Sequence, residues 1–193
     1  MFDEVNRQLE EYFGKWRALI AARQDERNKE FFERLKPTAV GWKVADFDEY
    51  RRLLEEWRGA CDIIVEKWMN ERWVAKLHLK DATLNGGIEI VKIMQRRPGS
   101  EDKLGLDHVD FLDMEETNTK AILQEENDIQ WTEEKNGNCE WISLWFEGTE
   151  AKLRPETILD VARQDLLEVN NQIRGQKFAI LGQETGVVIS DVE

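Results

Sequence analysis

Apolar residues at the start of the chain recur at steps of three and four: Phe2, Val5, Leu9, Tyr12, Phe13, Trp16, Leu19 and Ile20. That spacing gathers them into one stripe of a helix, with Glu10, Glu11, Lys15 and Arg17 between them. A charged run from Arg23 to Glu30 interrupts the stripe, Phe31, Phe32 and Leu35 resume it, and Pro37 ends it. From Thr38 the period drops towards two. Residues 38–44 read as a strand, and a helix follows with Asp46 as N-cap and Phe47, Tyr50, Leu53, Leu54 and Trp57 as its apolar face. Residues 62–68, 72–79 and 88–94 then read as three strands, the last two separated by the turn Asn85-Gly86-Gly87. The polar segment 96–103, which contains Pro98-Gly99, reads as a linker.

After the linker the same order returns. Residues 106–112 form a strand, 113–127 a helix, and 128–133, 139–146 and 150–154 three strands, with Asn136-Gly137-Asn138 as a hairpin turn. Gly41 and Asp46 of the first half match His108 and Asp113 of the second at one common offset, and Trp73 matches Trp141 within a residue of it. The pattern therefore predicts an α+β fold of two tandem βαβββ modules, residues 37–97 and 98–155. A helical extension, residues 1–36, precedes them. A C-terminal helix, 156–174, and a tail, 175–193, follow. The tail carries two short apolar runs, and the pattern leaves open whether they pair or lie loose.

Composition sharpens this picture. Over 193 residues, 27 Lys+Arg stand against 40 Asp+Glu, a net charge of −13. Such a surface repels nucleic-acid phosphates and anionic lipid, which argues against both as partners. The 8 Trp, 8 Phe and 2 Tyr separate the chain from disordered acidic sequences, which are poor in aromatics. Cys61 and Cys139 can build neither a disulfide framework nor a four-cysteine zinc site, and both read as buried, inert thiols. The charged start of the chain has no apolar signal region, and no run approaches the roughly 20 apolar residues of a membrane span. A cytoplasmic, soluble protein is the expectation; the sequence does not speak to oligomeric state. It contains no nucleophile elbow, phosphate loop or dinucleotide fingerprint.

Two βαβββ modules in tandem resemble the vicinal-oxygen-chelate (glyoxalase/bleomycin-resistance/dioxygenase) superfamily. Leu106-Asp107-His108-Val109-Asp110-Phe111 is similar to the strand that opens a module there. The flanking helices and the Lys152-Leu153-Arg154-Pro155 ending look most like the YecM-like branch. The resemblance covers about residues 38–174 and implies one curved, cup-like sheet enclosing a pocket. It also implies metal ligands from the first and last strands of each module, at the positions of Gly41, Glu89 or a neighbour, His108 and Arg154. Of these, only His108 and Glu89 can coordinate a metal through their side chains. Gly41 has none, and Arg154 is a permanent cation.

Read on their own, His108 and Asp110 share one strand face, as do Lys152 and Arg154, Gly41 and Lys43, and Glu89 with Val91 and Ile93. Such faces either meet solvent or line a polar cavity. If they converge, Lys43, Glu89, His108, Asp110, Lys152 and Arg154 form a mixed-charge pocket inside an acidic shell, suited to a small anion held in a bidentate fork by Arg154. His78 reads as a surface residue. The expectation is a degenerate member of the superfamily that binds a small anionic molecule and requires no cofactor. Two alternatives stand beside it: an enzyme of lyase, isomerase or dioxygenase type using a divalent metal on His108 and Glu89, and a protein-interaction module working through the N-terminal helix.

Overall fold

The computed structural model of the chain describes residues 2–69, 71–80, 83–113, 116–136 and 139–164. Two helices open it, α1 (Phe2–Ala21) and α2 (Glu26–Arg34). The sequence reads this stretch as one helical extension, but Asp25 adopts an extended backbone (φ −81°, ψ 124°) and divides it. Its carboxylate accepts a hydrogen bond from the Asn28 amide at 3.1 Å and so caps α2.

The first module comprises β1 (Lys36–Val44), α3 (Phe47–Trp57), β2 (Cys61–Met69), β3 (Arg72–Leu79) and β4 (Ile90–Gln95). Asp46 caps α3, accepting from the Glu49 amide at 2.9 Å. The second module repeats the order with β5 (Gly105–Leu112), α4 (Glu116–Glu125), β6 (Gln130–Asn136), β7 (Cys139–Phe146) and β8 (Thr149–Arg154). All eight strands form one curved, unclosed sheet in the order β2-β3-β4-β1-β5-β8-β7-β6. Within each module the first and last strands run parallel, β1 beside β4 and β5 beside β8; the modules join where β1 and β5 pair antiparallel. This is the tandem α+β arrangement that the hydrophobic pattern predicts.

Side chains on alternate strand positions divide the sheet into two unlike faces. One face, with Val40, Trp42, Val91, Ile93, Val109, Phe111, Leu144 and Leu153, packs against α1 to α4 in one continuous apolar core. Trp16 of α1 stacks on Phe111 with ring centroids 4.5 Å apart, and Phe2 stacks on Trp57 at 4.3 Å. The helical extension is thus a layer of the core. The other face, called the cup face below, carries the polar residues of the central strands. Residues 158–164 form the start of the C-terminal helix and lie against its first-module half, where Ile158 packs on Ala39 and Ile90, and Ala162 on Val65. The rest of the expected C-terminal helix and the tail, residues 165–193, lie outside the described residues.

Candidate functional site

The strand register brings four positions to the centre of the cup face. Gly41 on β1 pairs with Lys92 on β4 and with His108 on β5, and His108 pairs with Glu150 on β8. Position 41 requires glycine for a steric reason. The His108 imidazole lies over its Cα, and a methyl group there would fall 2.5 Å from Cε1. The β1–β5 register slips at this point, so that Asp107 is an extra residue between the pairs Gly41–His108 and Trp42–Leu106. Such a bulge re-aims a side chain. It brings the Asp107 carboxylate beside His108, its chain neighbour, instead of on the opposite face.

A chain of charges connects these residues. Asp107 accepts from Lys43 Nζ at 2.7 Å and from His108 Nδ1 at 2.8 Å. On the far side of the ring, Lys92 Nζ stands 2.5 Å from His108 Nε2 and 2.5 Å from Asp110 Oδ2. Arg154 donates through Nε to the other Asp110 oxygen. Asp110 is 0 % exposed, His108 2 % and Lys92 5 %. Ionised groups this deep persist only when paired. Nδ1 facing Asp107 and Nε2 facing Lys92 fit a neutral imidazole that donates from Nδ1 and accepts at Nε2.

The environment shifts each group in a consistent sense. Burial pushes Lys92 down to about 7, with Asp110 opposing and Arg154 and Lys152 adding to the shift. Burial likewise lowers His108, and the neighbouring Lys152 and Lys92 lower it further. For Asp110 burial acts upward, yet Lys92 and Arg154 outweigh it and hold the carboxyl well below its ordinary value. For Asp107 burial again acts upward, and His108 and Lys43 overcome it. Next to this cluster, Ser143 of β7 donates to Glu150 at 2.7 Å, and Trp141 Nε1 donates to Ser143 at 3.1 Å. The Trp141 ring carries two cations, Arg154 with Cζ 4.8 Å and Lys152 with Nζ 5.5 Å from its centroid.

Of the residues that sequence parity places in a common pocket, Lys43, His108, Asp110, Lys152 and Arg154 do share the cup face. Glu89 does not. It precedes β4, is exposed, and approaches His78 Nε2 at 3.8 Å. The strand begins at Ile90, so Val91 and Ile93 enter the core and Lys92 takes the central position. Residue parity alone misses Lys92, Asp107 and Glu150. Lys92 had a readable signal, a single charge within Ile90-Val91-Lys92-Ile93-Met94. Glu150 shares its parity with Lys152. Asp107 had none, because a bulge leaves no mark in the hydrophobic pattern.

One ligand atom from each of Asp107, His108 and Glu150 lies within 4.8 Å of the other two. A metal centre drawing on the first and last strands of both modules would use the four central positions. Gly41 offers no donor, and Lys92 presents an ammonium, which cannot coordinate a metal while protonated. The residues do not fit a four-position centre; a three-donor half-site remains.

No protein-family model matches the sequence, and no curated protein does. Solved structures do match its fold. Protein EC4020 aligns at a TM-score of 0.60 and 12 % identity, over 84 % of this chain and 93 % of its own. A methylmalonyl-CoA epimerase in complex with methylmalonyl-CoA and NH4+ aligns at a TM-score of 0.46 and 15 % identity, over 62 % of this chain and 94 % of its own. A glyoxalase/bleomycin resistance protein/dioxygenase superfamily member from Vibrio splendidus 12B01 aligns at 0.41 and 10 % identity, over 62 % and 98 %. At such identities the likeness to EC4020 is one of fold.

Proposed function

We propose that the chain is a divergent, YecM-like member of the glyoxalase/bleomycin-resistance/dioxygenase superfamily that binds a small anion on the cup face. In this reading an internal lysine stands where a catalytic metal would otherwise be held. One observation carries it: Lys92 Nζ reaches both His108 Nε2 and Asp110 from the position paired with Gly41. Below its lowered pKa of about 7, Lys92 makes the positive charge at the centre part of the polypeptide. Arg154 spends Nε on Asp110, and its terminal nitrogens make no hydrogen bond among the described residues. Together with Lys152 on the same indole, it can hold a carboxylate in a two-pronged grip.

The middle of the apolar stripe of α1, Val5 to Trp16, is spent on its own domain, which speaks against an interaction module built on that stripe. No helix among the described residues is long and apolar enough to cross a membrane. A second reading rests on the trio Asp107, His108 and Glu150, whose spacing leaves a divalent ion three donors; bound there, it would supply Lewis acidity.

Two measurements on untagged protein separate the readings: metal content by mass spectrometry, and calorimetric titration with small carboxylates such as malonate and benzoate. The expected outcome is sub-stoichiometric metal, together with carboxylate binding that Arg154→Met weakens by about tenfold or more, the worth of a charge-assisted contact. Stoichiometric metal that disappears in His108→Ala would overturn the first reading in favour of the second.

A further inference from the structure

A cleft of about 380 Å³ opens under the N-terminal half of α1, at the end of the sheet where β5 and β8 begin. It lies at the opposite end of β8 from Arg154. Tyr12 and Trp145 give it an apolar wall, and Asp107 and Glu150 line it from the sheet. Lys15 and Lys103 contribute cations from α1 and from the segment before β5; Arg7 and Glu11 of α1 also line it, Arg7 paired with Glu4 and Glu11 standing 3.9 Å from Lys15.

The state of these groups decides what the cleft can take. Each oxygen of the Asp107 carboxylate already has a partner, Oδ1 in Lys43 and Oδ2 in His108. Glu150 uses Oε1 for Ser143 and, at 3.6 Å, Lys152, whereas Oε2 has no partner among the described residues. Tyr12 is held in place by donating to the Glu150 carbonyl at 3.1 Å, and Lys15 by donating to the Glu147 carbonyl at 3.1 Å. Lys103 makes no ion pair among the described residues. Glu150, with one open carboxylate oxygen, and Lys103, with an open ammonium, therefore line one cavity of small-molecule size with an aromatic side.

A lone anion would meet Glu150 and Asp107, and a lone amine would meet Lys103 and Lys15; a molecule bearing both charges satisfies both ends. We infer that this cleft binds a small zwitterion, an α-amino acid or a similar amine-bearing acid. Its ammonium group lies at Glu150, its carboxylate at Lys103, and its side chain along Trp145.

The test is calorimetry on the full chain with the twenty free amino acids, their decarboxylated amines and their deaminated acids. In Arg154→Met, where the cup-face anion site is weakened, at least one amino acid binds, and its amine and acid analogues bind about tenfold more weakly or not at all, each having lost one charge-assisted contact. Lys103→Met, a change at an exposed position, weakens that binding by a similar factor, as does Glu150→Gln, while Arg154→Met leaves it unchanged. The inference is overturned if no amino acid binds, or if in Arg154→Met, where the cup-face anion site is weakened, the deaminated acid binds as tightly as its parent. It is equally overturned if binding survives Lys103→Met and is lost in Arg154→Met, a result that would support the anion site on the cup face and refute the cleft.

Discussion

Asp110 holds two cations at once, Lys92 through one oxygen and Arg154 through the other. Replacing it by Asn keeps the shape and removes the charge, leaving two buried cations without a counter-ion. Asp110→Asn is expected to cost about 3–5 kcal/mol in urea unfolding. Lys92→Met is expected to cost much less, because Asp110 keeps Arg154. The two variants also differ in pH dependence. Lys92, held at about 7, binds fewer protons in the folded than in the unfolded chain from there up to its ordinary 10.5. Its contribution to stability therefore rises with pH across that window and is a constant cost below it. Asp110 and Asp107 act in the other sense: their stabilisation is present above the ordinary carboxylate range and is lost only in strong acid. Subtracting the Lys92→Met stability curve from that of the wild type between pH 7 and 9 should leave a rise of up to about 1.4 kcal/mol per pH unit. A flat difference would mean that Lys92 stays charged in the folded protein.

Among the elements, α1 has the most to lose from a single truncation. Trp16 stacks on Phe111, meets Phe32 and Phe146 edge-on, and joins α1 to both α2 and the second module. Trp16→Ala should cost about 3–5 kcal/mol, measured by chemical denaturation. The order and type of the strands and helices were legible because each buries one face, and burial imposes a period of 2 or 3.6. What periodicity could not supply was phase at the ends. Ile88 reads as the start of a strand, but it only bridges Leu84 across the turn, and β4 begins two residues later. With every position of β4 except Gln95 buried, nothing in its pattern distinguishes the cup face from the core, so Glu89 stood in for Lys92. The break between α1 and α2 was hidden similarly, since the stripe resumes after it. Lys43, His108, Asp110, Lys152 and Arg154 were legible because their strands alternate cleanly.

At the scale of the whole molecule, the two modules share their charges. Lys92 belongs to the first and its counter-ion Asp110 to the second; Lys43 and Asp107 are divided the same way. Either half alone would leave buried ions unpaired and expose the edge of a central strand. Separately produced halves, cut within residues 97–103, should lack cooperative unfolding by circular dichroism and regain it on mixing. Adding four glycine and serine residues to the same linker should cost less than about 1 kcal/mol, since loop entropy grows slowly with length. The close approach of His108 to Gly41 also bears on how the halves can change over time. A side chain at 41 and a ring at 108 compete for one space, so the two copies of the repeat cannot drift independently. Gly41→Ala should be harmful beside His108 and nearly neutral beside His108→Gly. This dependence of one substitution on another is epistasis, and it fixes an order of change: position 108 must give way before position 41 can be filled.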